Sequence, residues 1–458
     1  MELIIANVID AYRDNVALIQ DPELRESEIV DSYYIEDRSL LWCGRRKVVV
    51  TSLPVEPAHV RYLQQALGYE LLENLSPREA SDSLCADILR EPELQAAIVA
   101  RLRGEGTVPL IPFVASAQVL QVAEALRRVG ADLTTPECPL AEHLPVRDDL
   151  DSKAGFRRFF ASIAHKVEGL SLPEGAVARD TAQAARLAAN LLGQGHAVLC
   201  KPNNSQSGVG FVHLRPGELE GSPAEMAARI QARLDGDSQM TSDLIVVEEL
   251  IDVDRNVGGG SPSIEMRVPA DPAQDVEFMY PCGQILTPSG YFFGVEMYRE
   301  VLDPVMLKVV EAAGKAVARE VRKLGYVGIF DMDMVAGKDG RLYAVEINTR
   351  RTGGTHAHEA AEFLFGPRYW ERVAVISNNV YTFDGPPLSY AGLRQILGDI
   401  LFPLGGQREG VLPTIVSSLP TRRFGYIVFG TDIARARALE KMMVERLADT
   451  GRTLTAAH

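Results

Sequence analysis

The sequence predicts a mixed α/β and α+β protein in three parts. An N-terminal α/β lobe is followed by a central domain with antiparallel sheets and a small C-terminal α+β cap. Three observations carry this. Over the first 150 residues, short β-branched runs alternate with helically spaced apolar residues, the signature of a parallel α/β lobe. Over residues 151–384, strand-like segments follow one another, several with alternating polarity. The last seventy or so residues return to two strands and a helix. A chain of 458 residues exceeds one ordinary hydrophobic core, and the composition shifts place the parts at residues 1–150, 151–384 and 385–458.

In the first part the leader "MELIIANVIDAYRDN" reads as a strand, with no basic leader of a signal peptide. "KVVVTS" and "GTVPLIPFVAS" are buried-strand candidates, each followed by a helix, "EPAHVRYLQQALG" and "AQVLQVAEALRRVG". In the second part "DSKAGFRRFFASIA" reads as a helix with an acidic N-cap. "DTAQAARLAANLLGQG" is a helix before the strand "HAVLCKP", and "DLIVVEELI", "SPSIEMRVP", "VEFMYPCGQIL" and "GYFFGVEMY" are strands. A long helix spans roughly residues 304–324. "NVGGGSPS" is the candidate mobile loop. In the third part "LPTIVSS" and "FGYIVFG" are strands, and Asp432 caps the helix "DIARARALEKMMVERLAD".

The net charge of −15 argues against a broad nucleic-acid surface and against anionic membranes. No apolar run approaches the roughly 18 residues of a transmembrane helix. Five scattered cysteines without a CxxC pair disfavour a disulfide scaffold or zinc module, and a cytoplasmic location is the simplest reading.

The stretch "GIFDMDMVAGKDGRLYAVEINT" carries the first chemical signal. Asp339-Gly340 suits a two-residue hairpin turn. With that loop Lys338 faces Arg341, Val335 faces Ala344, Asp333 faces Glu346 and Asp331 faces Asn348. Alternation then puts Asp331, Asp333, Glu346 and Asn348 on one face. Directly opposed carboxylates repel, and hard oxygen donors with an amide suit Mg²⁺, which binds through a few carboxylates plus phosphates. The other reading of such a face is a solvated polar sheet.

Two further signals precede it. In "AVLCKPNNSQSGVGFVHL" a buried strand ends at Lys201, and a loop of Asn, Ser and Gly follows. Glycines let a backbone close over phosphates, and lysine supplies a point charge; the plainer reading is a flexible hairpin with a surface lysine. In "LIVVEELIDVD" an apolar strand ends in Glu248-Glu249-Leu250-Ile251. Such an end offers an apolar slot for a base and an acceptor for ribose; otherwise it is an edge strand with solvated acids.

In this order the three signals resemble the ATP-grasp superfamily over residues 151 to about 359. The resemblance implies an ATP-dependent ligase. It places Lys153 and Lys201 on the nucleotide phosphates and residues 203–210, with Ser205, Ser207, Gly208 and Gly210, in the phosphate-covering loop. Glu248, Glu249, Leu250 and Ile251 become the adenine hinge, with Asp252 or Asp254 as ribose acceptors. Asp333, Glu346 and Asn348 become ligands of Mg²⁺ (or Mn²⁺). Arg350 steadies a carboxylate or acyl phosphate. Some ligases of the superfamily carry an arginine where this chain has Asp331, so Arg267 or Arg351 is the expected substitute. "SPSIEMRV", "CGQIL…GYFFG" and "EINTRRTGGTHAHE" look like the peptide-ligase subfamily that includes the pheganomycin ligase.

The implied reaction is carboxylate–amine ligation through an acyl phosphate, with ADP and phosphate released. The alternatives are transfer to a carrier-protein thiol and a small-molecule kinase. The implied partners are a small carboxylate and an amine or peptide, and a homodimer is the family's frequent assembly. "TGGTHAHE" reads as a loop near the substrate. His356 and His358 lack the further ligands that zinc requires.

Overall fold

The computed structural model of the chain describes residues 1–455 apart from residues 18, 20, 205–209, 242 and 288–289. In the first lobe β1 (Glu2–Ile5), β2 (Arg46–Val50), β3 (Leu71–Leu75), β4 (Val108–Pro112) and β5 (Leu133–Thr134) form one sheet in the order β3-β2-β1-β4-β5. Every pair is parallel. Leu3, Ile4, Ile5, Val48, Val49 and Val50 are fully buried, as a parallel sheet covered on both faces requires. The leader is a strand only over Glu2–Ile5. Val8, Ile9, Tyr12 and Val16 follow helical spacing, and a helix runs over Val8–Ala17. Strand order reverses between β1 and β4, so the carboxyl ends of these strands open a crevice at a topological switch point. Asn7 ties that edge together: its Oδ1 accepts from Phe113 N at 2.9 Å, and its Nδ2 donates to Val114 O at 3.0 Å.

The chain then passes through β6 (Leu170–Ser171) into a four-stranded antiparallel sheet. It comprises β7 (Gly175–Ala178), β8 (Val198–Pro202), β9 (Val212–Leu214) and β10 (Ile245–Glu249), in the order β7-β10-β8-β9. The helices Thr181–Gly193 and Pro223–Asp235 supply Ala184, Ala185, Ala188, Ile230 and Leu234 to its core. Asp180 caps the first of these through Gln183 N.

A nine-stranded sheet completes the fold. Its further strands are β11 (Pro262–Val268), β12 (Glu277–Leu286), β13 (Phe292–Met297), β14 (Gly328–Ala336), β15 (Leu342–Asn348), β16 (Ala374–Thr382), β17 (Gly410–Ile415) and β18 (Arg423–Gly430). The order is β17-β18-β16-β13-β12-β11-β14-β15-β6. The strands of the last seventy residues therefore continue the large sheet across residue 384. One apolar cluster joins Ile4 and Val49 of the first lobe to Tyr280, Val375, Phe429 and Leu447. Under β14 lies the helix Pro304–Lys323, capped by Asp303, which accepts from Val305 N and Met306 N. Its Val310, Ala313, Val317 and Val321 pack with Phe330, Met332 and Met334.

Two local expectations are corrected. The helix Lys153–Ile163 is capped by Ser152, whose Oγ accepts from Gly155 N; Asp151 instead accepts from Thr349 N at 2.7 Å. "NVGGGSPS" is packed. Gly258, Gly259 and Gly260 stand at φ 52°, 69° and 95°, and Gly258 and Gly260 are buried. Gly258 N donates to Val301 O at 3.1 Å. The glycines supply a left-handed backbone path that other residues resist. Among the described residues no helix is long and apolar enough to cross a membrane.

The 3₁₀ segment Glu36–Leu41 joins the two ends of the chain. Asp37, buried, accepts from Val416 N and Ser417 N, each at 2.8 Å, and from Ser417 Oγ at 2.8 Å. Burial raises its pKa to about 6 from 3.8, against the pull of those hydrogen bonds. Between these values the native state holds a proton that the unfolded chain has lost, so stability falls as pH climbs from about 4 to about 6. Asp37→Asn keeps two acceptor bonds and can donate to Ser417 Oγ. Its stability relative to wild type should therefore rise by up to about 3 kcal/mol over that window. Urea unfolding at pH 4, 5, 6 and 7 measures this; parallel curves for the two proteins contradict it.

Candidate active site

β14 and β15 build the centre of the site. Asp331 pairs with Asn348 and Asp333 with Glu346, as the sequence pattern predicts, but the path to that register differs. The hairpin loop has three residues, not two: Gly337 N donates to Arg341 O at 2.9 Å, and Gly340 takes φ +80°. Val335 consequently pairs with Tyr343 and Ala336 with Leu342, and the register shifts beyond Met334–Ala344. A bulge at Val345 absorbs the extra residue and restores the expected pairs. Its mark is a change of parity: Leu342 and Ala344 face the core, then Ile347 does. Val345 and Glu346 both line the cavity.

The acidic face is held by neutral and cationic donors. Asp333 accepts from Gln284 Nε2 at 2.6 Å and from Asn348 Nδ2 at 3.3 Å. Asp331 accepts from Asn348 N at 3.1 Å and Nδ2 at 2.8 Å. Glu346 accepts from Lys153 Nζ at 3.2 Å. Burial, then the charge of Glu346, raises the pKa of Asp333; burial, then Asp333, raises that of Asp331. Glu265 on β11 pairs laterally with Asp331, and burial pushes it up to about 7. A cation on this face would relieve the crowding, and Asp333 and Glu346 present the carboxylate oxygens that Mg²⁺ prefers; Asn348 turns its Nδ2 to Asp331 and Asp333 and its Oδ1 to Arg350. Among the described residues no group of three or more His, Cys, Asp or Glu side chains forms a protein-only metal cage.

A cavity of about 650 Å³ runs past this face, within the range of small-molecule sites. At one end Leu199, Phe211, Leu250, Ile251, Val253, Val335 and Val345 make an apolar slot beside Lys201, Glu248 and Glu249. Lys201 is buried and ion-paired with Glu248, which also meets Arg157 at 3.3 Å. Lys153 and Lys201 lie 5.8 and 5.6 Å from the Phe211 ring centre. Glu249 accepts from Glu174 N at 3.0 Å. Asp252 pairs with Lys338 at 2.9 Å and Asp254 accepts from Asn256 N; neither lines the cavity. Ser205, Ser207 and Gly208 lie outside the described residues, and Gly210 stands at φ +77°.

Past the acidic face, Arg350 lines the cavity and donates to Asn348 Oδ1 at 2.9 Å. Burial opposes its charge, while Tyr12, Asp151, Asp331 and Glu346 outweigh burial and raise its pKa. Arg267 and Arg351 are not brought to this wall. Arg267 pairs with Glu277 at 2.7 Å. Arg351, 1% exposed, pairs with Glu137 and Glu359 at 2.9 Å each, lies over Trp42 at 5.0 Å, and donates its backbone N–H to Phe113 O. It locks the large sheet to the first lobe. The segment from Thr355 is a helix, Thr355–Phe365, with His356 and His358 buried inside it. His358 stacks on Tyr280 at 4.6 Å, and burial holds its pKa down to about 3.

Sequence reading missed Tyr12, Arg38, Phe211 and Gln284. Phe211 directly follows the glycine loop and Gln284 stands in "CGQIL"; both lie inside the motifs, but neither residue type is singled out by them. Arg38 sits in "EDRSLLW", where three charged residues directly before an apolar run were the available sign of burial.

With this geometry in place, comparison with known proteins fixes the fold. Residues 36–128 match the family model of the pre-ATP-grasp domain. The chain is similar to a β-γ-ATP complex of biotin carboxylase from Campylobacter jejuni, with 14% identity, a TM-score of 0.52 and coverage of 97% of this chain and 91% of that one. It is similar to N5-carboxyaminoimidazole synthetase from Staphylococcus aureus, with 12% identity, a TM-score of 0.51 and coverage of 97% and 96%. The ADP complex of the S. aureus protein gives 10% identity, a TM-score of 0.50 and coverage of 96% and 95%. A search of the curated proteins gives no match. The chain has the ATP-grasp fold behind a pre-ATP-grasp domain.

The two neighbouring arginines separate by experiment. Arg351→Met strands Glu137 and leaves Glu359 with only Cys43 N and Arg267, and should cost about 3 kcal/mol or more in urea unfolding. Arg350→Met removes no ion pair and should cost less than about 1.5 kcal/mol. Equal losses contradict this division.

Proposed function

We propose that this chain is an ATP-dependent carboxylate–amine ligase that forms a peptide-like amide through an acyl phosphate. One observation carries the reading. A single cavity joins an apolar slot with buried Lys201, the Asp333–Glu346–Asn348 face and Arg350. The similar solved structures include ATP- and ADP-type complexes, which supports ATP as the ligand of the apolar slot.

In this reading Leu199, Leu250, Ile251, Val253 and Val335 sandwich adenine, and the end of β10 meets its edge. Lys153 and Lys201 hold the polyphosphate. Asp333, Glu346 and Asn348 hold Mg²⁺ (or Mn²⁺), which supplies charge neutralisation at the phosphoryl oxygens. A carboxylate oxygen of the substrate attacks the γ-phosphorus; the bond to the β,γ-bridging oxygen breaks and ADP leaves. Positioning and charge stabilisation dominate such a transfer. Arg350 presents two fork nitrogens to the carboxylate and then to the acyl phosphate, a geometry that lysine lacks. An amine nitrogen attacks the acyl carbon, the C–O bond to phosphate breaks, and the amine proton passes to the departing phosphate. Ser205, Ser207, Gly208 and Gly210 belong to the loop that would cover the phosphates. A carrier-protein thiol in place of the amine, or a hydroxyl phosphorylated directly, are the competing acceptors.

Purified protein with ATP, Mg²⁺, a pool of carboxylic acids and hydroxylamine tests the reading. Acyl hydroxamate with ADP is expected. A phosphorylated product without hydroxamate identifies a kinase, and AMP formation removes the scheme. Glu346→Gln should lower kcat at least about 100-fold with the fold intact by circular dichroism, since relief of Asp333 offsets the weakened contact to Lys153. Near-normal activity refutes the metal assignment. Lys201→Ala should weaken Mg-ATP binding by at least about tenfold by calorimetry, while Arg157 still pairs with Glu248.

A further inference from the structure

Beyond Arg350 the cavity holds a second buried guanidinium, that of Arg38, which the phosphate chemistry leaves unused. Arg38, only 4% exposed, lines this end. Among the described residues it forms no ion pair, and its Nε is buried without an acceptor. Arg350 likewise has no carboxylate within ion-pair distance, and its Nε is buried and unpartnered. The two guanidinium carbons each lie 5.7 Å from the centre of the same Phe113 ring, and Arg350 lies 5.6 Å from that of Tyr12. Burial, together with the charge of Arg350, disfavours the charged form of Arg38. Nearby carboxylates compensate Arg350, whereas Arg38 is a buried cation beside a like charge, which is costly. An anion beside Arg38 removes that cost. Asn348 Oδ1 on Arg350 Nη2 fixes this point beside the acidic face.

The surrounding wall is largely apolar, with Glu28, Ser32, Asn379 and Ser418 among its polar members and Glu28 held above the usual carboxylate range by burial and Asp31. Tyr12 and Val16 come from the helix Val8–Ala17, and Ile35 ends the helix Pro22–Ile35. Phe292, Val380 and Ile415 come from β13, β16 and β17. At the mouth stand Leu24, Leu286 and Tyr291, which are 51%, 37% and 46% exposed. Large exposed apolar side chains gathered around one opening mark a binding surface. The rim acid Asp31 is taken by Arg423 at 2.8 Å. This end also lies at the switch point between β1 and β4, where α/β sheets place their ligands.

We infer that Arg38 and Arg350 form a carboxylate subsite for an acid with a bulky apolar body, which lies along Tyr12, Val16, Ile35, Phe292 and Ile415. The subsite deepens the ligase reading and rests on it for the neighbouring γ-phosphate. Arg38 approaches from the pre-ATP-grasp domain, so the substrate carboxylate is gripped from two domains at once.

The test has two arms. Calorimetry on the full chain compares 4-phenylbutanoate and 4-methylpentanoate with acetate, bicarbonate and the neutral 4-phenylbutanamide. At least one apolar acid should bind at least tenfold more tightly than acetate, bicarbonate or the amide. Arg38→Gln should lose at least tenfold for that acid with Mg-ATP affinity unchanged, and Arg38→Lys should recover part of it. No measurable binding of either apolar acid, equal binding of acid and amide, or loss of Mg-ATP affinity in Arg38→Gln overturns the assignment. If Arg38→Gln does not fold, the wild-type comparison of acid, amide and acetate decides alone. The second arm measures ADP release with the same acids. Binding through Arg38 without ADP release from any acid keeps the subsite and removes the ligase reading. ADP release with acetate or bicarbonate but with neither apolar acid removes the subsite and keeps the ligase.

Discussion

Two carboxylates facing each other across a buried hairpin are the constraint around which the rest of this structure is arranged. Asp333 and Glu346 repel, yet the core beneath them leaves no other register. Phe330, Met332 and Met334 are locked against the long helix on the opposite face. A one-residue slip would turn all three toward the cavity and bury the acids in the core. The repulsion is therefore carried by a far larger hydrophobic term. Lys153, Gln284 and Asn348 soften it, and a divalent ion bound there would relieve it further. A site built this way holds its charge in place before any ligand arrives, which is what electrostatic preorganisation requires.

The other walls of the cavity depend on contacts far apart in sequence. Arg351 links the end of β15 to Trp42, Glu137 and Glu359. Asp37 fastens the first lobe to the loop after β17. Asn7 holds the β1 and β4 ends together beside Phe113. Each is a buried polar group bonded across segments distant in sequence, although Arg351 Nε itself has no acceptor among the described residues. These anchors hold the walls of the cavity together. They do so without touching the cavity contents, and for that reason Arg351, although next to Arg350 in sequence, has a different task.

The hairpin shows how a local reading reaches the right pairs by an incomplete route. "GKDG" permits a two-residue turn, and counting outward from it pairs Asp333 with Glu346. The real loop is one residue longer, and Val345 bulges to compensate. Both deviations were encoded. Gly340 suits the left-handed end of a three-residue loop, and core residues at 342, 344 and 347 cannot all face one way in a regular strand. The histidines illustrate the reverse case. "THAHE" has the look of a ligand cluster, but helical spacing and a neighbouring aromatic set turn His356 and His358 into packing groups.

By itself the sequence determined the α/β character of the first lobe, the antiparallel strands that follow, and the Lys201, Glu248 and Asp333–Glu346–Asn348 pattern. Each of these is written in periodicity and short-range spacing, which local stereochemistry enforces. Only the tertiary structure decided that the C-terminal strands join the same nine-stranded sheet. It alone placed Arg267 and Arg351 in ion pairs away from the cavity, and brought Arg38 and Arg350 to the same Phe113 ring. Those outcomes depend on which distant segments meet, and a charged side chain carries no local mark of the partner that burial will give or deny it.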